Sequence, residues 1–102
     1  MPILHTVNKS PFERNSLDSA ISHALKGSSV MLYEDGVYGA MKGTAIADKV
    51  SGAMNDVSFY VLGPDLKARG IDESKLIDGV KVVDYSGFVQ LTVDNDKVSA
   101  WT

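Results

Sequence analysis

The sequence predicts an α/β fold, a small three-layer sandwich of about five mostly parallel strands flanked by helices. Three observations carry this. Short apolar runs alternate with helix-period stretches along the whole chain. The stretches between runs are long enough for crossover connections, which make neighbouring strands parallel and right-handed. The length of 102 residues suits one domain, spanning residues 1–102.

Ile3 to Val7 reads as the first strand, ended by Asn8-Lys9-Ser10-Pro11 because Pro11 removes a donor and restricts Ser10. Leu17, Ala20, Ile21, Ala24 and Leu25 recur at helical spacing and form one apolar stripe. Asn15 or Ser16 is placed to cap that helix, and Gly27 suits the residue after its end. Ser29 to Tyr33 is a continuous apolar run, as a strand buried on both faces requires. Glu34-Asp35-Gly36 stops it, and Val37 to Met41 has room for one helical turn. Thr44 is placed to cap a helix running through Asn55, with Ile46, Val50, Ala53 and Met54 on one face. Gly52 weakens that helix. Val57 to Leu62 is the third strand, and Pro64 fits the first position of a short helix ending near Gly70. Val80 to Val83 is the fourth strand. Asp84 caps a helix carrying Tyr85, Phe88, Val89 and Thr92, and Lys97 to Trp101 is a short edge strand.

Composition excludes several classes. Hydrophobic residues make up 44% and charged residues 23%, an ordinary globular balance. No apolar run approaches the roughly 20 residues that span a bilayer. Met1-Pro2-Ile3-Leu4-His5 has no signal-peptide character, so a cytoplasmic protein is expected. The net charge of −3 argues against a broad phosphate-binding face, and no basic stripe interleaved with aromatics supports direct nucleic-acid binding. There is no cysteine, so thiol catalysis, persulfide carriage and Cys zinc sites are excluded for this chain.

Ligands of open α/β sheets collect at the carboxyl ends of strands. Three of those ends carry acids, and no glycine-rich phosphate loop is present. Glu34, Asp35 and Asp84 could form an acid/base or Mg²⁺ cluster, with Asp35 and Asp84 as the polar-site candidates. Turn and capping roles explain the same residues, since Asp bonds readily to local backbone. His5 lies in an expected buried strand without a metal-spaced partner and reads as structural, while His23 sits beside the stripe of the first helix. Ser10, Ser16, Ser19 and Ser22 read as caps and turns, outside any nucleophile elbow. No metal site and no cofactor are expected. The aromatic residues serve either the core or a protein–protein interface. Val37, Tyr38 and Met41, an expected exposed apolar turn beside an acidic loop, are the interface candidates.

Four blocks in order resemble the DsrH/TusB family. They are Ile3 to Phe12, Glu34-Asp35-Gly36-Val37-Tyr38, Tyr60-Val61-Leu62 with Asp65 to Gly70, and Asp84 to Thr92; Trp101 fits as well. Two fuller spellings, Ser10 to Asn15 and Gly63 to Gly70, look closer to the DsrH branch. The resemblance implies a parallel sheet flanked by helices. It implies a cytoplasmic heterohexamer with DsrE/TusD-like and DsrF/TusC-like subunits, which relays persulfide sulfur between carrier proteins. That relay serves either sulfur oxidation or 2-thiolation of the tRNA wobble uridine. Some DsrH members carry a cysteine in the first helix, and Ala20 occupies what looks like that place. The expected role is therefore a non-catalytic assembly subunit, without direct nucleic-acid or membrane contact. The alternative is a stand-alone small-ligand-binding or acid/base domain using the strand-end carboxylates.

Overall fold

A strand packed on both faces needs apolar or small side chains at successive positions. Ser29–Leu32 (β2) has them, and all four residues are buried in the computed structural model, which describes residues 2–102. The other strands are Ile3–Val7 (β1), Ser58–Leu62 (β3), Lys81–Val83 (β4) and Lys97–Trp101 (β5). They form a five-stranded sheet in the order β4-β3-β2-β1-β5. Every pairing is parallel, with Val7 opposite both Leu32 and Trp101. The sheet is thus wholly parallel, and β5 takes the expected edge.

The helices are Ser16–His23 (α1), Ala47–Ala53 (α2), Gly63–Ala68 (α3) and Tyr85–Asp94 (α4). The first three connections step along the sheet in one direction, and the fourth returns from β4 to the far side of β1. Right-handed crossovers place the first three helices on one face and α4 on the other. The packing follows that division. Leu17, Val50 and Leu66 from α1, α2 and α3 join Val30, Phe59 and Val61 in the larger core. On the opposite face Leu4, Met31 and Leu62 pack beneath Phe88 and Leu91 of α4.

Local chemistry explains the starts of α4 and α3, whereas α1 begins after Asn15 without the expected side-chain cap bond. The Asp84 carboxylate accepts from the Gly87 amide at 2.8 Å, satisfying one free donor at the start of α4. Pro64 occupies the first turn of α3. Two expected boundaries are corrected. The stripe of α1 does not extend to Leu25, because Ala24 turns extended (φ −68°, ψ 129°) and leaves Leu25 exposed. The chain must turn there toward β2, and Gly27 takes φ +90° while donating to the Asp56 carbonyl at 2.7 Å. Thr44 does not cap α2, which begins three residues later. Its hydroxyl instead donates back to the Met41 carbonyl at 3.3 Å, closing a turn.

The expected turn at Val37–Met41 begins earlier, as a 3-10 helix over Glu34–Ala40. Val37 is fully buried in the larger core rather than exposed. Gly36 makes this possible. A Cβ at that position would overlap the Val7 carbonyl, so only glycine lets the segment lie against the end of β1.

His5 and Trp101 join the two strands at the β5 edge. The indole Nε1 of Trp101 donates to Nδ1 of His5 at 3.0 Å. Nδ1 is therefore an acceptor, and the neutral ring carries its proton on the buried Nε2. His23 also lies against the indole, with ring centroids 5.4 Å apart. Burial, and then the nearby His23, hold His5 below the ordinary histidine pKa.

Two predictions follow from these contacts. Asp84→Ala is expected to cost about 1 kcal/mol, while Thr44→Ala costs less than about 0.5 kcal/mol, since only the former loses a helix cap. Urea unfolding of both variants checks the contrast. Because His5 stays neutral in the fold but protonates when unfolded, stability falls as pH drops below about 6.5. The fall continues until the lowered folded-state pKa is passed. His5→Gln keeps an acceptor for Trp101, and melting temperatures between pH 7 and 5 are expected to fall less for it than for the parent. Equal slopes would show that His5 does not drive the dependence.

Candidate functional site

The carboxyl ends of β1, β2 and β3 converge on a polar network. Tyr33 donates from its backbone to the Val7 carbonyl at 3.1 Å, holding the end of β2 against β1. The chain then enters the left-handed region at Glu34 (φ +49°), an uncommon conformation for a side-chain-bearing residue. Two contacts hold it there. The Glu34 amide donates to Asp65 Oδ2 at 2.6 Å, and Asn8 Nδ2 donates to Glu34 Oε1 at 3.4 Å. Next to it, Arg69 donates from Nε and Nη2 to Asp35 Oδ1 at 3.0 and 2.8 Å. Arg69 also lies 4.0 Å from Asp65, one turn back on its own chain. The network ties the 3-10 segment to α3.

This changes the reading of the acidic strand ends. Asp35 and Asp84 do not share a site. Asp35 neutralises Arg69, and Asp84 caps α4. Among the described residues no group of three His, Cys, Asp or Glu side chains is placed to hold a metal ion. Asp84 does rim an open groove of about 1040 Å³ between the carboxyl ends of β3 and β4, lined by Gly63, Pro64, Lys67, Val83 and Gly87. Its other acids include Asp72, whose carboxylate accepts from the Ser74 amide at 2.8 Å. The groove offers mixed charges on a solvent-facing wall rather than a converging acid/base pair. Asp65 closes one of the acid-bearing strand ends read from the sequence, whereas sequence patterning does not single out the pairing of Arg69 with Asp35. The pairing spans 34 residues, so only the i, i+4 spacing of Asp65 and Arg69 hinted at it.

Of the remaining candidates, Ala20 is fully buried on the sheet-facing side of α1. Tyr38 and Met41 are half-buried, and Met41 forms an isolated antiparallel bridge to Leu76. Val37 offers no side-chain surface, which corrects its expected place at an interface. His23 is exposed, and its Nδ1 lies 2.8 Å from the Ser19 carbonyl. Among the described residues no helix is long and apolar enough to cross a membrane.

Comparison with known proteins agrees with this architecture. The family model described as "DsrH like protein" matches residues 9–98. Protein TusB of Pectobacterium parmentieri is 36% identical over 99 residues, covering 97% of this chain and all of the relative. Protein TusB of Escherichia coli (strain K12 / DH10B) is 29% identical over the same share. The expected leaning toward the DsrH branch is not supported, because these full-length relatives are named TusB. Among solved structures, the ychN protein from E. coli superimposes with a TM-score of 0.83 at 23% identity, over 99% of each chain. Protein MTH1491 from Methanobacterium thermoautotrophicum gives 0.77 at 19% identity, over 97% of this chain and 96% of that one. Both show the fold. With its sheet, its strand-end blocks and its full-length relatives in agreement, the chain belongs to the DsrH/TusB family, subunits of the sulfur-relay complex for tRNA 2-thiolation or sulfur oxidation.

Proposed function

We propose that this chain is the cysteine-free assembly subunit of a cytoplasmic heterohexamer, with TusC-like and TusD-like partners, that relays sulfur toward 2-thiolation of the tRNA wobble uridine. The observation that carries the reading is an end-to-end match to TusB by a chain without a thiol. Sulfur relay proceeds by attack of a thiolate on a persulfide, which needs an activated cysteine. This chain supplies none, so its part is packing, shaping a partner's site, or presenting a face to the next carrier. The TusB names of its relatives favour the tRNA branch over sulfur oxidation.

The turn carrying Tyr38 and Met41 is proposed as a contact with a partner subunit. Both side chains keep exposed surface beside the Asp35–Arg69 pair. Ala20 is proposed as a position with no relay role in this chain. It faces the core, and a thiol placed there would be shielded from any external persulfide.

Native mass spectrometry of the complex isolated with this chain is expected to show two partner species in equal copy number, one bearing a persulfide adduct. The chain alone, or only with itself, would reject the proposed role. Deleting its gene is expected to remove 2-thiouridine from wobble positions in nucleoside analysis; unchanged thiolation would point instead to sulfur oxidation. Tyr38→Asp is expected to weaken assembly at least tenfold, and an unchanged complex would remove that turn from the interface. Ala20→Cys is expected to react with an aromatic disulfide reagent at least 100-fold more slowly in the folded chain than in the unfolded one. Rapid labelling would show that the position opens to solvent.

A further inference from the structure

The two faces of the sheet are covered unequally. The axes of five strands span about 19 Å at a spacing of about 4.8 Å, and one helix is about 10 Å across. Three helices and the 3-10 segment cover one face, but α4 alone covers the other. Pleating puts Lys81, Val98 and Ala100 on the α4 face, and all three are exposed. α4 itself is apolar on both sides. Phe88 and Leu91 pack inward, while Tyr85, Val89 and Val93 repeat every four residues and are 61%, 62% and 70% exposed. Val98, five residues beyond Val93, is 50% exposed. Solvent-facing helix surfaces are ordinarily polar, so a valine and tyrosine stripe here is unpartnered in the isolated chain.

The charges around the stripe define what covers it. α4 contains no Lys or Arg, and Asp84, Asp94 and Asp96 flank its two ends, all exposed; of the bordering cations, Lys81 lies over the Tyr60 ring and Lys97 directly follows Asp96. A second copy related by a two-fold axis would pair this face with itself. Helices crossing antiparallel would set Asp84 against Asp94 and Asp96, and parallel helices would set each acid against its own image. Like charges meet in both cases, which disfavours self-association. We propose that the stripe of Tyr85, Val89 and Val93, extended by Val98, docks a different polypeptide, whose contact surface is an apolar strip rimmed by Lys and Arg. This deepens the assembly-subunit reading and rests on it. It places a subunit contact on the face opposite the Tyr38 turn and completes the third layer of the sandwich from outside.

The experiment uses the complex co-purified with the full chain. The double variant Val89→Asp, Val93→Asp is expected to raise the dissociation constant for the partner at least 100-fold. Circular dichroism should be unchanged, because both side chains face solvent. Asp94→Lys with Asp96→Lys leaves the apolar stripe intact. It is expected to weaken binding about tenfold and to flatten its salt dependence. Lys26→Glu, on the loop after α1, serves as the exposed control and is expected to bind as the parent does. If the parent complex forms and both double variants assemble unchanged, the docking proposal fails while the assembly role stands. If the parent captures no second species, the assembly role itself fails. Sedimentation of the isolated chain as a dimer, lost in the Val89→Asp, Val93→Asp variant, would overturn the proposal in favour of a second copy.

Discussion

The handedness of parallel crossovers is the constraint on which the rest of this structure depends. Four connections link five parallel strands, and each must be right-handed to pack back on the sheet. Three consecutive steps in one direction commit α1, α2 and α3 to a single face. The one return step commits α4 to the other. The larger core, the tight seat of the Glu34–Ala40 segment against β1 and the exposed stripe of α4 are all consequences of that count. A sheet buried on both faces is the natural end state of parallel strands. This chain alone reaches it fully on one side.

Elements defined by local chemistry were legible in the sequence. The continuous apolar run of β2, the Asp84 cap and Pro64 in the first turn of α3 need only neighbouring residues to be read, and each lies where expected. The misreadings each have a physical cause. Leu25 fits the helical period, but the path into β2 requires the chain to leave the helix before it. Thr44 is a good capping residue whose hydroxyl finds the Met41 carbonyl first. Val37 sits in a short apolar segment that reads as a surface turn, until Gly36 allows that segment to press on the Val7 carbonyl. For Leu25 and Val37 a contact distant along the chain decided between two locally reasonable outcomes, whereas for Thr44 a competing bond three residues back did. The candidate site was less legible than the fold. Acids were visible at the strand ends, but the arginine that turns one of them into a strut lies 34 residues away.

That strut also gives the strand-end acids structural partners. A general acid or base needs a lone carboxyl whose protonation can change near neutral pH. Asp35 is bound to a guanidinium and Asp84 to a backbone amide, so neither is a lone carboxyl. The same contacts have structural value. Arg69 and Asp65 fix the 3-10 segment to α3, and Asp65 supports the left-handed backbone at Glu34. A family block that includes Glu34, Asp35 and Gly36 in one place and Asp65 and Arg69 in another is thereby explained as one folded unit. These residues set the shape of the carboxyl-end surface.

A subunit without a thiol can still determine how sulfur moves, through the surfaces that it completes in its partners. The sheet face under α4 is the place where this chain is least self-sufficient. Its buried residues there number far fewer than on the opposite face, and its helix exposes valines where a self-contained domain would carry charge. Such surfaces invite indiscriminate association unless something restricts the partner. The aspartates at the two ends of α4 supply that restriction. They meet like charge in a second copy of the chain and opposite charge in a basic-rimmed partner. Selectivity on the proposed docking face therefore comes from acids that cap or flank a helix, just as Asp35 shapes the strand ends by holding Arg69. In a chain of this size the same few carboxylates serve folding first, and recognition follows from where folding has placed them.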